Sequence, residues 1–213
     1  MRIIYCGLIE YERAMKLQKD FVREVMAGAP GALLLCEHPK TLTLGRAYHQ
    51  QNILVHSDEL LCHGVTVVSA DRGGDVTLHA PGQLVAYPIV DLKHRGRDLT
   101  VYLRKLEQTC VDFLLDFGIV AEQGEGTRAR GVWVGGAKIA SIGIGVSHWV
   151  TYHGIGVNMT TDLELFKLIR PCGLDVAMTS VKKLTGLSSS MSVVSEKFAG
   201  HFLRVFDAKN HSS

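Results

Sequence analysis

The fold is decided by residues 131–146, which read GVWVGGAKIASIGIGV. Two apolar runs joined by the pair Gly135-Gly136 are typical of a β-hairpin, with the second strand over residues 138–146. Most side chains of that strand are small or aliphatic, and glycine weakens a strand, so we expect a ligand to approach this backbone closely. An alkyl chain would suit such a surface, because it needs apolar contact and few hydrogen bonds.

Lys138 is the single charged side chain of this hairpin. Among apolar neighbours it should resist protonation, because desolvation disfavours the ammonium form. A neutral amine could take the proton of a thiol, and a charged amine could stabilise a thiolate. The alternative is that Lys138 extends to solvent from the strand end and has no chemical role.

Downstream, the stretch Arg170-Pro171-Cys172-Gly173 follows a helical pattern over residues 161–169. Thr161 and Glu164 have the spacing of a capping box, which predicts a helix start there. Proline and glycine on either side of Cys172 predict that its thiol lies on a turn. A thiol on a turn and a lysine in an apolar strand are the two halves of an acyl-transfer dyad.

The chain has five cysteines and no C-x-x-C pair, which disfavours a zinc site and a complete disulfide framework. We therefore expect a reducing cytoplasm, no metal and no cofactor. Cys6, Cys36, Cys62 and Cys110 lie in or beside apolar patterns and are predicted to pack as small hydrophobic residues.

Residues 71–84, DRGGDVTLHAPGQL, are too polar and too rich in glycine for a core hairpin. Paired glycines admit a ligand to the backbone, so we interpret the segment as a pocket wall; a surface hairpin is the alternative. A third strand rich in small residues, YHGIGVN at 152–158, carries His153, which we expect to be a structural histidine.

The remaining pattern mixes strands and helices without strict alternation, which predicts an α/β (α+β) fold, a mixed β-sheet packed by helices, in a single domain over residues 1–213. Helices are predicted over 11–27, 57–63 and 98–117 and around Phe198. Further strands are predicted over 32–36, 41–44, 65–68, 75–79, 83–90, 119–121 and 150–159.

Composition excludes several function classes. A net charge of +2 argues against a protein that binds nucleic acid through a broad basic face. No apolar run approaches the roughly 20 residues of a membrane span, and the start of the chain does not resemble a secretory signal. We expect a monomer, because no heptad repeat or self-complementary edge is evident.

Three groups of motifs together resemble the octanoyltransferases of lipoate biosynthesis, in order and spacing, from about residue 10 to the last helix. The resembling residues are Arg72-Gly73-Gly74, Thr77, His79, Pro81-Gly82-Gln83-Leu84, Tyr87-Pro88-Ile89, Lys138-Ile139-Ala140-Ser141-Ile142-Gly143, His153-Gly154, Asn158 and Pro171-Cys172-Gly173. That family shares a mixed-sheet fold with lipoate and biotin protein ligases. Its members move an octanoyl group from acyl carrier protein to a lysine of a lipoyl domain.

The resemblance implies Cys172 as the acyl-thioester nucleophile and Lys138 as the residue that promotes its ionisation. It implies substrate contacts from Arg72, Gly73, Gly74, Asp75, Val76, Thr77, Leu78, His79, Ser141, Ile142, Gly143, Gly154, Ile155 and Gly156. The implied donor is octanoyl-acyl carrier protein. The implied acceptors are the lipoyl domains of 2-oxoacid dehydrogenase complexes and the glycine cleavage H protein.

Two other interpretations stay open. An ATP-dependent lipoate or biotin protein ligase would activate a free acid as an adenylate, and such an enzyme needs no catalytic cysteine. A non-catalytic acyl-binding module would keep the pocket without the chemistry.

Overall fold

The computed structural model describes residues 1–126, 130–173 and 175–207. The predicted single domain of residues 1–213 also includes 127–129, 174 and 208–213, which lie outside the described residues. The strands are β1 Arg2–Leu8, β2 Ala32–Glu37, β3 Thr41–Leu44, β4 Thr66–Ser69, β5 Val76–His79, β6 Gln83–Ile89, β7 Glu122–Gln123, β8 Gly131–Val134, β9 Ala137–Ser147 and β10 Val150–Asn158. The helices are α1 Tyr11–Met26, α2 Ser57–Cys62, α3 Leu99–Leu115, α4 Val181–Thr185 and α5 Met191–Asp207.

A seven-stranded mixed sheet runs in the order β1-β2-β6-β10-β9-β8-β7. The β1–β2 pair is parallel, and every later pair in that order is antiparallel. The hairpin predicted at residues 131–146 forms β8 and β9. The next strand, β10, is buried along its whole length. This order places the small-residue strands β9 and β10 side by side near the middle of the sheet.

Successive side chains of the large sheet point to opposite faces, and each face packs into its own hydrophobic core. In β2, Leu33 and Leu35 pack with α3 and α5 on one face, whereas Leu34 and Cys36 pack with α1 on the other. The two-residue period of a strand explains this division. Helix α3 begins at a true cap, since the Asp98 carboxylate accepts hydrogen bonds from the first-turn backbone amides.

A second sheet, ordered β4-β3-β5, has a core of its own. Val76 and Leu78 of β5 pack there against Leu42 of β3 and against the 3-10 helix Leu163–Leu168. A further 3-10 turn, Pro171–Gly173, follows that helix and lies beside β5. The turn that carries Cys172 is therefore supported by the second sheet, while Lys138 belongs to the first.

The predicted α/β fold class is confirmed, and so are most of the predicted elements. The strand predicted over 119–121 is wrong, since these residues lie outside any strand and β7 begins at Glu122. The segment before Cys172 is a 3-10 helix capped by the Asp162 carboxylate, so the predicted capping by Thr161 is wrong. The Thr161 hydroxyl is buried without a hydrogen-bond partner among the described residues. Cys62, predicted to pack, is exposed.

In the described part of the chain, no helix has the length and apolar character that crossing a bilayer requires.

Candidate active site

Lys138, near the start of β9, directs its amine at the sulfur of Cys172. Its Nζ atom lies 3.5 Å from Cys172 Sγ. The side chain is 0% exposed, which contradicts the alternative that Lys138 extends to solvent. The backbone of Lys138 donates to the carbonyl of Ala177 at 2.8 Å and accepts from the amide of Thr179 at 2.9 Å, so the chain beyond the Cys172 turn is fixed against β9.

Gly131, at the start of β8, makes room for this lysine. A Cβ atom at residue 131 would lie 2.7 Å from Cε of Lys138 and 2.3 Å from the carbonyl oxygen of Ala140. Its φ of +135° is also a conformation that favours glycine. On another side, the ring of Trp133 lies 5.4 Å from Nζ, within the range of a cation–π contact.

Cys172 occupies the turn that its flanking residues predict. Its backbone has φ 58° and ψ 23°, and Gly173 follows with φ +69°, so two successive residues are left-handed. The Gly173 amide donates to the carbonyl of Arg170 at 3.0 Å and closes the turn. Pro171 is buried while Cys172 is partly exposed, which leaves the sulfur accessible.

Asn52 and Asp75 hold this turn from the side of the second sheet. The Asn52 carbonyl accepts the Arg170 amide at 2.7 Å, and the Asn52 side chain donates to Asp75 Oδ2 at 2.5 Å. Asp75 also accepts from the backbone amides of Val76 at 2.8 Å and His49 at 3.0 Å. The carboxylate is therefore fixed in place, and the Cys172 turn rests against it.

Cys172 lies where two cavities meet. The outer cavity has a volume of about 410 Å³, and polar side chains, among them His49, Asn52 and Asp75, share its lining with apolar surface. The inner cavity is much smaller, about 30 Å³, and runs along β9 and β10. Cys172 lines both, together with Gly74 and Ile142.

The inner cavity collects most of the predicted substrate-contact residues. They are Arg72, Gly74, Thr77, His79, Ser141, Ile142, Gly143, Gly154, Ile155 and Gly156. The glycines let neighbouring groups approach the strands closely: a Cβ atom would lie 3.0 Å from Arg72 Cδ at residue 143 and 2.9 Å from Gln83 Oε1 at residue 156. A chain of methylene groups can enter this cavity only if its walls move apart. The Ser141 hydroxyl is buried and has no hydrogen-bond partner among the described residues. An unpaired buried hydroxyl in a cavity is consistent with a partner supplied by a ligand.

The other predicted contact residues lie elsewhere. Asp75 lines the outer cavity and not the inner one. Val76 and Leu78 pack into the core of the second sheet, because they alternate with Thr77 and His79 along β5. Gly73 lines neither cavity, but its amide donates to the carbonyl of Ile144 at 2.8 Å and links this segment to β9.

Arg72 brings a buried positive charge to the inner cavity. It is 5% exposed, and its guanidinium donates to the hydroxyl and carbonyl of Thr43 and to the carbonyl of Gly73. No carboxylate in the described ranges lies within ion-pair distance of it. Burial lowers the pKa of Arg72, whereas the nearby Tyr11 and Cys172 act to raise it. Its charge therefore acts on the region where the Cys172 sulfur lies.

A cluster of aromatic residues closes the far side of the inner cavity. Tyr11 stacks on His79 with ring centroids 5.8 Å apart, and its hydroxyl shares a hydrogen bond of 3.4 Å with His153. Burial lowers the pKa of His79 to about 3 and that of His153 to about 4. Both rings are neutral at pH 7, so the cavity holds Arg72 as a cation among neutral polar rings.

His153 is structural, as its sequence context indicates. Its Nε2 lies 2.9 Å from Asp71 Oδ1, and its backbone amide donates to Gln18 Oε1 at 2.7 Å. Similarly, His79 Nδ1 pairs with Gln83 Oε1 at 2.7 Å, and Gln83 donates to Asn158 at 2.9 Å. These bonds fix the cavity wall.

Sequence reasoning misses several residues of the site. In the sequence Tyr11 is predicted only as part of the apolar face of α1. Nothing near Asn52 in the sequence indicates a role in the site, because the residues that it contacts are distant along the chain. Gly131 marks the start of a strand there and not a contact of Lys138. Tyr87, which also lines the inner cavity, is signalled only by its place in the resembling motif Tyr87-Pro88-Ile89.

Comparison with known proteins assigns the chain to a family. The family model for the lipoyl protein ligase A/B catalytic domain matches residues 10–203. The chain is 46% identical over 202 residues to an octanoyltransferase of Solibacter usitatus, covering 94% of this chain and 90% of that relative. It is 45% identical over 207 residues to an octanoyltransferase of Syntrophobacter fumaroxidans, covering 96% and 90%.

Solved structures agree on the fold. A lipoate-protein ligase A bound with ATP matches with a TM-score of 0.80 at 16% identity, over 97% of this chain and 85% of that one. A biotin protein ligase of Aquifex aeolicus matches with a TM-score of 0.56 at 12% identity, over 97% and 69%. At these identities the likeness establishes the fold alone.

Proposed function

Because the chain belongs to the lipoyl protein ligase A/B catalytic domain family, we propose that it is an octanoyltransferase of protein lipoylation that works through Cys172 and Lys138. The observation that carries the proposal is the 3.5 Å approach of the Lys138 amine to the Cys172 sulfur at the junction of two cavities. In this proposal the whole chain acts as one catalytic domain in the cytoplasm.

The first half-reaction exchanges one thioester for another. Lys138 takes the proton of the Cys172 thiol, and the thiolate attacks the carbonyl carbon of octanoyl-acyl carrier protein. The new carbon–sulfur bond forms as the donor's carbon–sulfur bond breaks, and Lys138 returns the proton to the departing pantetheine thiol. The step is near balance, so it needs no ATP.

The second half-reaction releases the acyl group as an amide. A lysine of a lipoyl domain, in a 2-oxoacid dehydrogenase complex or a glycine cleavage H protein, attacks the octanoyl-Cys172 thioester. Lys138 takes the proton of the attacking amine, and the sulfur leaves. Formation of an amide from a thioester is downhill, which drives transfer toward the acceptor.

The two cavities would bind different parts of the acyl donor. The octanoyl chain would enter the inner cavity along β9 and β10, and the walls of this cavity, about 30 Å³ in volume, would move apart to admit it. The larger outer cavity would receive the donor's arm and then the acceptor's lysine. The buried charge of Arg72 would stabilise the thiolate and the negative oxygen of the tetrahedral intermediate.

The test is intact-mass spectrometry after incubation with octanoyl-acyl carrier protein, without ATP. We expect one added octanoyl group that hydroxylamine removes. Cys172→Ala should abolish it, and the matched variant Cys62→Ala, which changes an exposed cysteine, should retain it. An adduct that persists in Cys172→Ala would show that another residue is the nucleophile.

The same experiment separates the alternatives. An ATP-dependent ligase would ignore the acylated carrier protein and require free octanoate with ATP. A non-catalytic binding module would bind the donor and form no covalent adduct.

A further inference from the structure

Arg130 lies beside the outer cavity and is held there by a buried carboxylate. It lines the cavity that Cys172 also lines, and its side chain is 16% exposed. Nη1 of Arg130 lies 3.3 Å from Oε2 of Glu107, which is fully buried in α3. A guanidinium anchored at one end and open to a cavity is suited to receive a ligand.

Glu107 also organises the strand that packs around Lys138. Its Oε1 atom accepts the backbone amide of Gly131 at 3.1 Å, and its Oε2 atom accepts Arg104 Nη1 at 2.9 Å. One buried carboxylate therefore places both Arg130 and the β8 edge relative to the site. Such a carboxylate must stay paired, since removing one partner of a buried ion pair is strongly destabilising.

The donor capacity of Arg130 exceeds what the described residues use. A guanidinium carries five N–H groups, and Arg130 makes one hydrogen bond to the described ranges, to Glu107. The Asp75 carboxylate in the same cavity already accepts from His49, Asn52 and Val76. The unused donors call for a ligand that carries acceptors.

We propose that Arg130 is a specificity residue that binds the amide carbonyl oxygens in the leaving-group arm of a thioester donor, the pantetheine arm. This inference rests on the proposed function, because it assigns the outer cavity to the donor whose acyl group reaches Cys172. A guanidinium donates only, and amide carbonyl oxygens are acceptors that it can bind without a counter-charge. The acceptor lysine does not use Arg130.

The test compares two donors that differ in the arm. S-octanoyl-pantetheine carries two amides, and S-octanoyl-2-mercaptoethanol carries none. Rates of Cys172 acylation are measured by intact mass as a function of donor concentration. We expect Arg130→Ala to lower the rate per unit concentration of the pantetheine donor by at least about tenfold, as the loss of one hydrogen bond from a charged donor predicts. The rate for the mercaptoethanol donor should change less than about twofold.

Arg104→Ala is the matched control, because Arg104 pairs with the same Glu107 oxygen and lines neither cavity. It should leave the ratio of the two rates unchanged. Arg130→Lys keeps a cation beside Glu107, so it tests the loss of the guanidinium in a chain that still folds. This variant should keep the melting temperature of the unmodified chain and lose part of the preference for the pantetheine donor.

Equal losses with both donors, or the same ratio change in Arg104→Ala, would overturn the assignment, as would an unchanged ratio in Arg130→Ala. Failure of the unmodified chain to be acylated by octanoyl-acyl carrier protein would instead refute the proposed function, and this inference with it.

Discussion

The side chain of Lys138 fills the space that a side chain at Gly131 would need. A Cβ atom there would lie 2.7 Å from Lys138 Cε and 3.4 Å from Nζ. Because Nζ also lies 3.5 Å from Cys172 Sγ, any shift of the lysine changes the distance between the amine and the thiol. The backbone of β8 therefore sets the geometry of the dyad.

Gly131→Ala should slow acylation of Cys172 by at least about tenfold. The added methyl group would meet the Ala140 carbonyl oxygen at 2.3 Å and Lys138 Cε at 2.7 Å, so β9 and its lysine must shift, and proton transfer depends on hydrogen-bond geometry. The matched control is Gly136→Ala in the turn between β8 and β9. Gly136 has φ +79°, and a Cβ added there would have no atom within 4 Å, so this variant should lose only about 1–2 kcal/mol of stability.

Equal acylation rates in Gly131→Ala and Gly136→Ala would show that the lysine is not held by β8. The two variants are compared at a temperature at which thermal unfolding shows the same fraction of folded protein in each.

The β8–β9 hairpin could be predicted from sequence, because its glycine pair and its runs of small residues are local signals. The same run left open whether Lys138 is buried or extends to solvent, and the structure buries it. The support of the turn by Asn52 and Asp75 could not be predicted, because Asn52, in a 3-10 turn after β3, meets Asp75, just before β5, only in the folded chain.

Local signals also compete, and only packing decides between them. Thr161 and Asp162 are adjacent residues of the type that caps helices. The structure uses Asp162 and buries the Thr161 hydroxyl instead. Likewise, Glu107 fits a helical pattern in sequence, and nothing local indicates that its carboxylate reaches the Gly131 amide.

Replacing Lys138 distinguishes its two possible roles. Lys138→Met keeps a long apolar stem in a fully buried position but removes the amine, and we expect acylation at pH 7 to fall by about 10²–10⁴-fold. Lys138→Arg restores a permanent charge that cannot accept a proton. If the lysine acts as the proton acceptor, Lys138→Arg should be as slow as Lys138→Met.

Substantial recovery of the rate in Lys138→Arg would contradict proton transfer and favour stabilisation of the thiolate by charge alone. Acylation reactions quenched at a series of times and analysed by intact-mass spectrometry give both rates.

Gly173→Ala should disturb the turn that presents the thiol. A Cβ atom at residue 173 would lie 2.9 Å from Asp75 Oδ2 and 3.1 Å from Asn52 Nδ2, against the two side chains that fix the turn. We expect the rate of alkylation of Cys172 by iodoacetamide, and its acylation, to change by about tenfold or more, since small misplacements of reacting groups are costly.

Gly186→Ala is the control for backbone strain, because Gly186 has nearly the same φ, +73°, and no atom within 4 Å of such a Cβ. Both variants should lose about 1–2 kcal/mol of stability from the left-handed backbone. If Gly186→Ala changes the reactivity of Cys172 as much as Gly173→Ala does, the contact with Asp75 and Asn52 is not what places the thiol.

The buried histidines predict a loss of stability in mild acid. Burial lowers the pKa of His79 to about 3 and the pKa values of His38 and His153 to about 4, against about 6.5 in an unfolded chain. Between pH 6.5 and 4 the unfolded chain binds protons that the folded chain does not. Stability is therefore complete above pH 6.5 and falls as the pH drops, by up to about 1.4 kcal/mol per pH unit for each histidine.

Urea unfolding at pH 7, 6, 5 and 4.5 measures this slope. His38→Gln should reduce it, because one of the three groups no longer takes up a proton on unfolding, whereas His94→Gln, at an exposed residue, should leave it unchanged. A free energy of unfolding that stays constant from pH 7 to 5 would mean that the folded and unfolded chains bind protons equally at these three rings. Burial would then not lower their pKa values, and the description of His79 and His153 as rings kept neutral by burial would have to be abandoned.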